Sequence, residues 1–247
     1  MLVAAAVCPQ TPLLVPQIAG NAAGELADVR SAALDAVARL CGERTDLLIV
    51  LAPTEGSGAR RTGLTGSLRR FGVDYSVGGH DGATEPCCGL LIGRWMLERT
   101  FPAAVPAHEG WEVGEQTEPG ECARLGRMLG ERAARVALLI MGDGSARRTP
   151  KAPGYFDERA EPFDDAVARA LADADAAALA AVDPTAARTL MVAGRAPWQA
   201  LAGAAMAASS RAWHGELLSY RAPYGVGYFT ALWTGAEPDA TARDAAR

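Results

Sequence analysis

The 247-residue sequence is poor in the residues that most often bind metals or polyanions. Its three histidines, His80, His108 and His214, are scattered along the chain, which excludes a histidine-rich metal site. Lys151 is the single lysine, and a formal net charge of -5 argues against a nucleic-acid-binding surface. No apolar run reaches the roughly 18–20 residues of a membrane span. The composition therefore predicts a globular protein without nucleic-acid or membrane partners.

Cysteine motifs are absent as well, because the cysteines form an odd set without CxxC spacing: Cys8, Cys41, Cys87, Cys88 and Cys122. The vicinal pair is interpreted as two ordinary thiols, since adjacent cysteines do not make a tetrahedral zinc site by themselves. The apolar N-terminus lacks the basic segment of an export signal and is interrupted by prolines, so it is interpreted as a buried strand. The expected location is the cytoplasm, where thiols stay reduced.

What the sequence does contain is an alternation of strands and helices. Continuous apolar runs at Leu2–Val7, Asp46–Leu51 and Val136–Met141 are typical of parallel strands buried on both faces. Helices are predicted over Asn21–Leu40, Leu90–Arg99, Cys122–Ala134, Pro162–Ala181, Ala186–Val192 and Trp198–Ala208, with two final strands within Leu217–Trp233. The pattern predicts an α/β fold: a single domain over 1–234 with a central, mostly parallel or mixed sheet flanked by helices on both faces, and a disordered tail over 235–247.

Ligands of such sheets bind beyond the carboxyl ends of the strands, which directs attention to the loops that follow them. The most informative is Gly142–Gly154, which begins with the letters GDGSARR. Asp143 is a candidate general base, Ser145 a hydrogen-bond donor, and Arg147 or Arg148 an anchor for a carboxylate or phosphate, with Lys151 as a further anion contact. The alternative is a strand-ending turn with a solvated basic flank. The loop matches neither a P-loop nor a dinucleotide-binding motif.

Other candidates lie in three further segments. Prolines after the first strand fix the backbone and direct Gln10 toward the predicted cleft, although a rigid crossover loop explains them equally well. Arg195 and Trp198 are candidates for a charged and aromatic wall around a small anion, the alternative being a helix start with Trp198 in the core. His214, close to Glu216, is a candidate base, and a surface position is the favoured alternative.

Four segments together resemble a known family: CPQTPLLVP at 8–16, MGDGSARRTPKAPGYFDERAEPFD at 141–164, GRAPWQALAGA at 194–204 and APYGVGYF at 222–229. They are similar to the class III extradiol ring-cleavage dioxygenase superfamily, meaning its catalytic B-subunit type and Memo-like relatives, and more closely to an actinobacterial branch of uncharacterised members. The resemblance spans nearly the whole chain. It implies a mixed sheet flanked by helices with one active site at the strand ends.

In working members of that superfamily, two histidines and a glutamate hold ferrous iron, and a further histidine serves as acid and base. At the places where the resemblance puts the three histidines, this sequence has Gln10, Thr54 and Ser145. Glu55 supplies at most one carboxylate ligand. Amide and hydroxyl oxygens are poorer ligands for Fe(II) than imidazole. The resemblance therefore implies the fold and the location of the pocket. It also implies that the usual metal ligands have been replaced by poorer ones.

The first hypothesis is accordingly a diverged dioxygenase-like protein that binds or transforms a small polar, aromatic or carboxylate-bearing molecule without the usual iron site. Asp143, Glu55 and His214 are the predicted catalytic residues. The predicted substrate-binding residues are Gln10, Thr54, Ser145, Arg147, Lys151, Arg195, Trp198 and Tyr224. No metal ligand and no cofactor are predicted. The alternatives are a ring-cleaving dioxygenase that uses Fe(II) with substituted ligands, and a non-catalytic binding or regulatory protein; a homodimer is left open.

Overall fold

The structure, a computed structural model, describes residues 1–42, 44–79 and 85–236. Its strands are β1 Leu2–Cys8, β2 Leu47–Thr54, β3 Ala59–Thr62, β4 Gly66–Ser67, β5 Ser76–Val77, β6 His108–Gly114, β7 Val136–Met141, β8 Trp213–Arg221 and β9 Tyr228–Gly235. Its α-helices are α1 Pro16–Ala19, α2 Ala27–Gly42, α3 Cys88–Thr100, α4 Pro119–Gly130, α5 Ala160–Ala172, α6 Ala176–Ala180, α7 Pro184–Thr189 and α8 Arg195–Ala207. Among the described residues, no helix is long and apolar enough to cross a membrane.

Seven strands form one sheet in the order β3-β6-β2-β7-β1-β9-β8. The four central strands β6, β2, β7 and β1 are parallel, whereas β3 pairs antiparallel with β6, and β9 pairs antiparallel with both β1 and β8. The carboxyl ends of the parallel strands therefore lie at the same edge as the start of β9 and the end of β8. Strands β4 and β5 pair separately.

Both faces of the sheet are covered by helices, because successive side chains of a strand point to opposite sides. Ala5 and Val7 of β1 join the apolar layer that includes helices α4, α5 and α8. Ala6 and Cys8 join the opposite layer with α2 and α3. The prediction of a single α/β domain with a mixed sheet between two helical layers is confirmed.

Strand β6 lies in a segment for which sequence analysis predicted neither a helix nor a strand. Its sequence, HEGWEVG, contains two glutamates, and each is paired with an arginine. Arg132 donates a hydrogen bond to Glu109 at 2.8 Å, and Arg60 lies 2.6 Å from the fully buried Glu112. His108 is half-buried on this strand, where its ring contacts Arg94 and the Pro106 carbonyl. Neutralisation by arginines allows a polar segment to occupy the sheet.

The helix predicted over Pro162–Ala181 is two helices. The chain breaks after α5, where Ala174 has a positive φ of 50°. The Asp175 side chain then caps α6 by accepting a hydrogen bond from the Ala178 N–H at 2.9 Å. Gly235, the first residue of the predicted tail, ends β9, and positions 237–247 lie outside the described residues, so the tail stays a prediction there.

Candidate functional site

A cleft of about 410 Å³ opens at the carboxyl ends of β1 and β7. The loop between β8 and β9 closes one side, and the first turn of α3 closes another. The lining residues are Gln10, Thr11, Pro12, Leu13, Cys88, Asp143, Gly144, Ala146, Pro153, Met191, Ala193, Tyr224, Val226 and Tyr228. Most of these side chains are apolar. The cleft lies where the topology of an α/β sheet places a ligand site.

Among the described residues that line the cleft, Asp143 alone is charged. Its Oδ1 accepts a hydrogen bond from the Gln10 backbone N–H at 2.9 Å, which joins the loops after β1 and β7. Its own carbonyl accepts from the Gly194 N–H at 2.9 Å. Removal from bulk water raises the pKa of the carboxyl from 3.8 to about 7, and the Gln10 hydrogen bond offsets part of that rise. A carboxyl group that titrates near neutral pH can both accept and donate a proton.

The glycines on either side of Asp143 are required by close packing. A Cβ on Gly142 would lie 2.5 Å from the Gly194 Cα, and one on Gly144 would lie 2.6 Å from the Phe229 ring. The Gly-Asp-Gly sequence therefore lets the backbone pass between β9 and the start of α8. This passage fixes the direction in which the Asp143 carboxyl points.

Tyr228 and Cys88 provide two protonated groups close to Asp143. Burial raises the pKa of the Tyr228 phenol to about 12, and the nearby Asp143 charge acts in the same direction, whereas a hydrogen bond with the Thr11 side chain lowers it. Burial likewise raises the pKa of the Cys88 thiol to about 11, and its Sγ donates a weak hydrogen bond to the Gln10 carbonyl at 3.6 Å. Both groups thus remain neutral when Asp143 titrates.

Tyr224 reaches the mouth of the cleft from a strained backbone position. Its φ is +57°, and its hydroxyl donates a hydrogen bond to Glu25 Oε2 at 2.8 Å. The ring is 38% exposed, so it is free to contact a ligand. Gln10, Asp143 and Tyr224 are the predicted site residues that the structure brings together in this cleft.

The predicted anion anchors do not line the cleft. Arg147 packs against Gly154 with its Nη1 3.7 Å from Asp157 Oδ2, and Lys151 is exposed. Arg195 is buried, and its guanidinium donates to the carbonyls of Glu115 and Thr117. The cleft as lined contains no arginine or lysine side chain. A carboxylate inside it would face Asp143, and the cation at its border is Arg70, whose guanidinium interacts with the Cys88 thiol and lowers the pKa of that thiol against the effect of burial.

Ser145 and Trp198 belong to the interior. Ser145 is fully buried, donates through Oγ to the Leu190 carbonyl at 2.9 Å, and has its N–H bonded to the buried Asp164. Trp198 is fully buried against Phe229, with the ring centroids 5.7 Å apart. Both residues shape the loop and helix that border the cleft, and neither contacts a ligand there.

Glu55, Thr54 and His214 lie away from the cleft. Glu55 is exposed after β2, and Thr54 is half-buried, with its carbonyl accepting from the Glu115 N–H at 2.9 Å. His214 is exposed near the beginning of β8 and pairs with Thr234, which in turn pairs with Ala4 at the start of β1. It therefore lies at the opposite edge of the sheet from Asp143 and is not part of the same site.

The donors around the cleft do not fit the iron implied by the resemblance. Asp143 supplies one carboxylate, the Cys88 thiol stays protonated, and Gln10 contributes only amide oxygen. Within the described ranges, no three histidine, cysteine or acidic side chains come together; His80 lies outside those ranges. A facial iron site needs two imidazoles and a carboxylate. No step of the chemistry is therefore assigned to iron.

Sequence analysis missed Tyr228, Cys88 and Met191 as lining residues. Tyr228 begins β9, which runs antiparallel to β1, so the start of β9 lies beside the carboxyl end of β1. Recognising that direction would have placed Tyr228 at the cleft. Cys88 was interpreted as an ordinary thiol. Its position is fixed by Glu112 of β6, whose Oε1 accepts from the Cys87 N–H at 2.7 Å. That contact spans 25 residues and has no counterpart in local sequence patterns.

Comparisons with known proteins establish the fold and nothing more specific. No family model matches the chain, and no curated protein matches it. The chain is similar to the crystal structure of an uncharacterised protein, JW3007 from Escherichia coli K12, with a TM-score of 0.55 and 13% identity. The match covers 94% of this chain and 100% of that one. The chain therefore shares the overall α/β fold of that protein along nearly its full length.

Proposed function

We propose that this protein is a diverged extradiol-dioxygenase-like protein that binds a small, largely apolar molecule bearing a hydroxyl group and transfers a proton to or from it. The observation that supports this best is Asp143, a carboxyl whose pKa is about 7 in a cleft whose other described lining residues are uncharged. General acid–base catalysis works best when the pKa of the group lies near the working pH. The family membership rests on the four resembling segments.

The mechanism follows from the charge distribution of the cleft. Ionised Asp143 accepts the proton of a ligand hydroxyl, while the Gln10 N–H stabilises the carboxylate before the transfer. Protonated Asp143 returns a proton at the end of the cycle. Tyr228 and Cys88, which keep their protons, donate hydrogen bonds to oxygen atoms of the ligand. The apolar lining keeps the transfer away from bulk water and so strengthens these interactions.

The chemistry of the lining narrows the first hypothesis. A carboxylate beside Asp143 is disfavoured, because none of the described side chains that line the cleft is cationic and Arg70, which interacts with the Cys88 thiol, borders the cleft without lining it. A phenol or catechol fits better, since its ring packs on Met191 and Val226 while its hydroxyl reaches Asp143. We place the protein in the cytoplasm, in keeping with five cysteines that are all free thiols. The homodimer stays a prediction.

The test measures the pKa of Asp143 by carbon-13 NMR and catechol binding by calorimetry. We expect a pKa near 7, saturable catechol binding, and loss of at least about tenfold in affinity in Asp143→Asn. Asp173→Asn, an exposed aspartate at the end of α5, is the matched control and should bind as the wild type does. An ordinary aspartate pKa, or equal catechol binding in both variants, would contradict the proposal.

Two outcomes separate the alternatives. Oxygen uptake with catechol that disappears on chelation would indicate the metal-dependent ring-cleaving dioxygenase instead. Binding that requires Asp143, without any conversion of hydroxyl-bearing ligands, would indicate the non-catalytic binding protein.

A further inference from the structure

A second cavity, of about 320 Å³, lies beside the cleft between α7, the start of α8 and the residues that follow β6. Its lining residues are Glu115, Gln116, Pro184, Ala187, Arg188, Met191, Val192, Ala193 and Arg195. It shares Met191 and Ala193 with the cleft of Asp143, so the two spaces adjoin at the same edge of the sheet. Unlike the cleft, it is lined by two arginines.

Arg195 is a buried cation that makes no ion pair among the described residues, although the Glu115 carboxyl is near enough for the two charges to interact. It is 3% exposed, and its guanidinium donates to Gln199 Oε1 at 2.9 Å and to the carbonyls of Thr117 and Glu115, all of which are neutral acceptors. In the part of the chain that the structure describes, no carboxylate pairs with it. Its Nε–H and one Nη2–H have no acceptor there either. A buried charge normally has a counter-charge, as Arg148 has in Asp164 at 3.3 Å.

The N-terminus of α8 adds to the positive potential of this cavity. The helix has 13 residues and begins at Arg195 without a side-chain cap. Over the described residues, the backbone N–H groups of Arg195 and Ala196 bond to no acceptor. Free N–H groups and the helix dipole together favour an anion at such an end. Two independent features therefore point to a negative group at one place.

The remaining charges of the cavity are one cation and one carboxyl. Arg188 of α7 is exposed and makes no ion pair with any residue that the structure describes. Glu115 opposes an anion, but burial raises its pKa, and the nearby charge of Glu55 raises it further, whereas Arg195 lowers it. The net charge of the lining is positive when Glu115 is ionised and more so when it is protonated.

We propose that this second cavity binds an oxyanion, a carboxylate or phosphate group held by Arg188, the free N–H groups of Arg195 and the N-terminus of α8. Guanidinium groups bind both kinds of oxyanion through paired N–H donors. Because the cavity adjoins the cleft, the oxyanion belongs to the molecule whose hydroxyl reaches Asp143; this second statement rests on the function proposed above. The substrate class is then a hydroxylated apolar molecule with an anionic end.

Calorimetric titration with inorganic phosphate and, separately, with acetate tests the cavity and tells the two oxyanions apart. We expect one saturable site that weakens about tenfold in Arg188→Ala and tightens in Glu115→Gln. Arg169→Ala is the matched control, because Arg169 is also an exposed arginine in the last turn of a helix. Absence of saturable binding of both anions, or equal weakening in the control, would overturn the oxyanion site.

A second titration, with para-hydroxyphenyl phosphate, tests whether the two spaces bind one molecule. We expect it to bind more tightly than phosphate, with the difference lost in Asp143→Asn. Phosphate binding itself should be unchanged in that variant, so the oxyanion site and the function of Asp143 fail separately. Equal affinities of the two probes in the wild type would overturn the shared ligand while leaving the oxyanion site supported.

Discussion

Asp143 makes the protein sensitive to pH as well as competent for proton transfer. Its pKa is about 7 in the folded chain and near 3.8 in an unfolded one. Between these values the native state binds more protons than the unfolded state, so stability falls as the pH rises through this window. Above pH 7 the loss of stability from ionised Asp143 no longer changes with pH. The Asp143 side chain is partly accessible from the cleft, and this contact with solvent reduces the loss of stability.

Asp143→Asn is therefore expected to stabilise the fold near neutral pH. Asparagine keeps an oxygen that can accept the Gln10 N–H and has no charge to desolvate. We expect a gain on the order of 1–2 kcal/mol in the free energy of unfolding at neutral pH, shrinking toward zero as the pH falls to about 4. Urea unfolding across that pH range measures it. A gain that does not depend on pH would show that the carboxyl does not titrate in this window.

Buried Asp164 is the counterpart that serves structure. Its Oδ1 accepts from the Ser145 N–H at 2.9 Å, and Arg148 pairs with its Oδ2. Burial raises its pKa to about 6, less than for Asp143, because these partners favour the charged form. The two aspartates thus differ in environment: one is held in a bonded network, and the other faces the cleft.

At the scale of elements, helices α4 and α8 cross with their backbones almost in contact. A Cβ on Gly126 would lie 1.7 Å from the Ala200 carbonyl oxygen, and one on Gly203 would lie 2.3 Å from that of Ala123. The crossing fixes α8 against the sheet. Because α8 begins at the border of both the cleft and the second cavity, this contact sets the geometry of the site.

Gly126→Ala is expected to destabilise the protein by about 1–3 kcal/mol, since neither helix backbone can yield without moving the other. Gly120→Ala, in the first turn of the same helix, meets only the flexible Arg124 side chain at 3.7 Å and should be neutral or stabilising by up to about 1 kcal/mol. Thermal unfolding followed by circular dichroism compares them. Similar melting temperatures for the two variants would mean that α8 is not held at this crossing.

For the molecule as a whole, the core and not covalent links must supply stability. All five cysteines are free, and apolar layers cover both faces of the sheet. We expect the melting temperature to be the same with and without a thiol reductant. Differential scanning calorimetry in both conditions checks this, and a lower melting temperature in the reductant would indicate a disulfide that the fold does not contain.

The fold was predictable because its strands are apolar runs with sharp ends. Val136–Met141 is a strand with the predicted bounds, and the loop after it forms the cleft, since parallel strands end at one edge. The polar strand β6 was not predictable, because its glutamates are neutralised by arginines distant in sequence. Local patterns do not reveal such partners.

The site was predictable in place but not in the direction of its side chains. Asp143 and Gln10 meet as expected from their loops. Arg195 turns away from the cleft, because the carbonyls that bind it come from residues about 80 positions earlier. Trp198 lies in the core, and the sequence did not indicate this, because a helix start and a cleft wall have the same local sequence. Only the packed structure decides between them.

The two outer strands of the sheet have a bearing on how copies of this protein meet. Strand β3 at one side of the sheet carries Arg60 and Arg61, and β8 at the other side carries His214 and Glu216, the last paired with Arg39. The unpaired backbone N–H and C=O groups of an edge strand can pair with a strand of another molecule, and charged side chains oppose that pairing. The charged side chains of both outer strands thus oppose continuous intermolecular sheets, even though the central strands are among the most apolar segments of the chain.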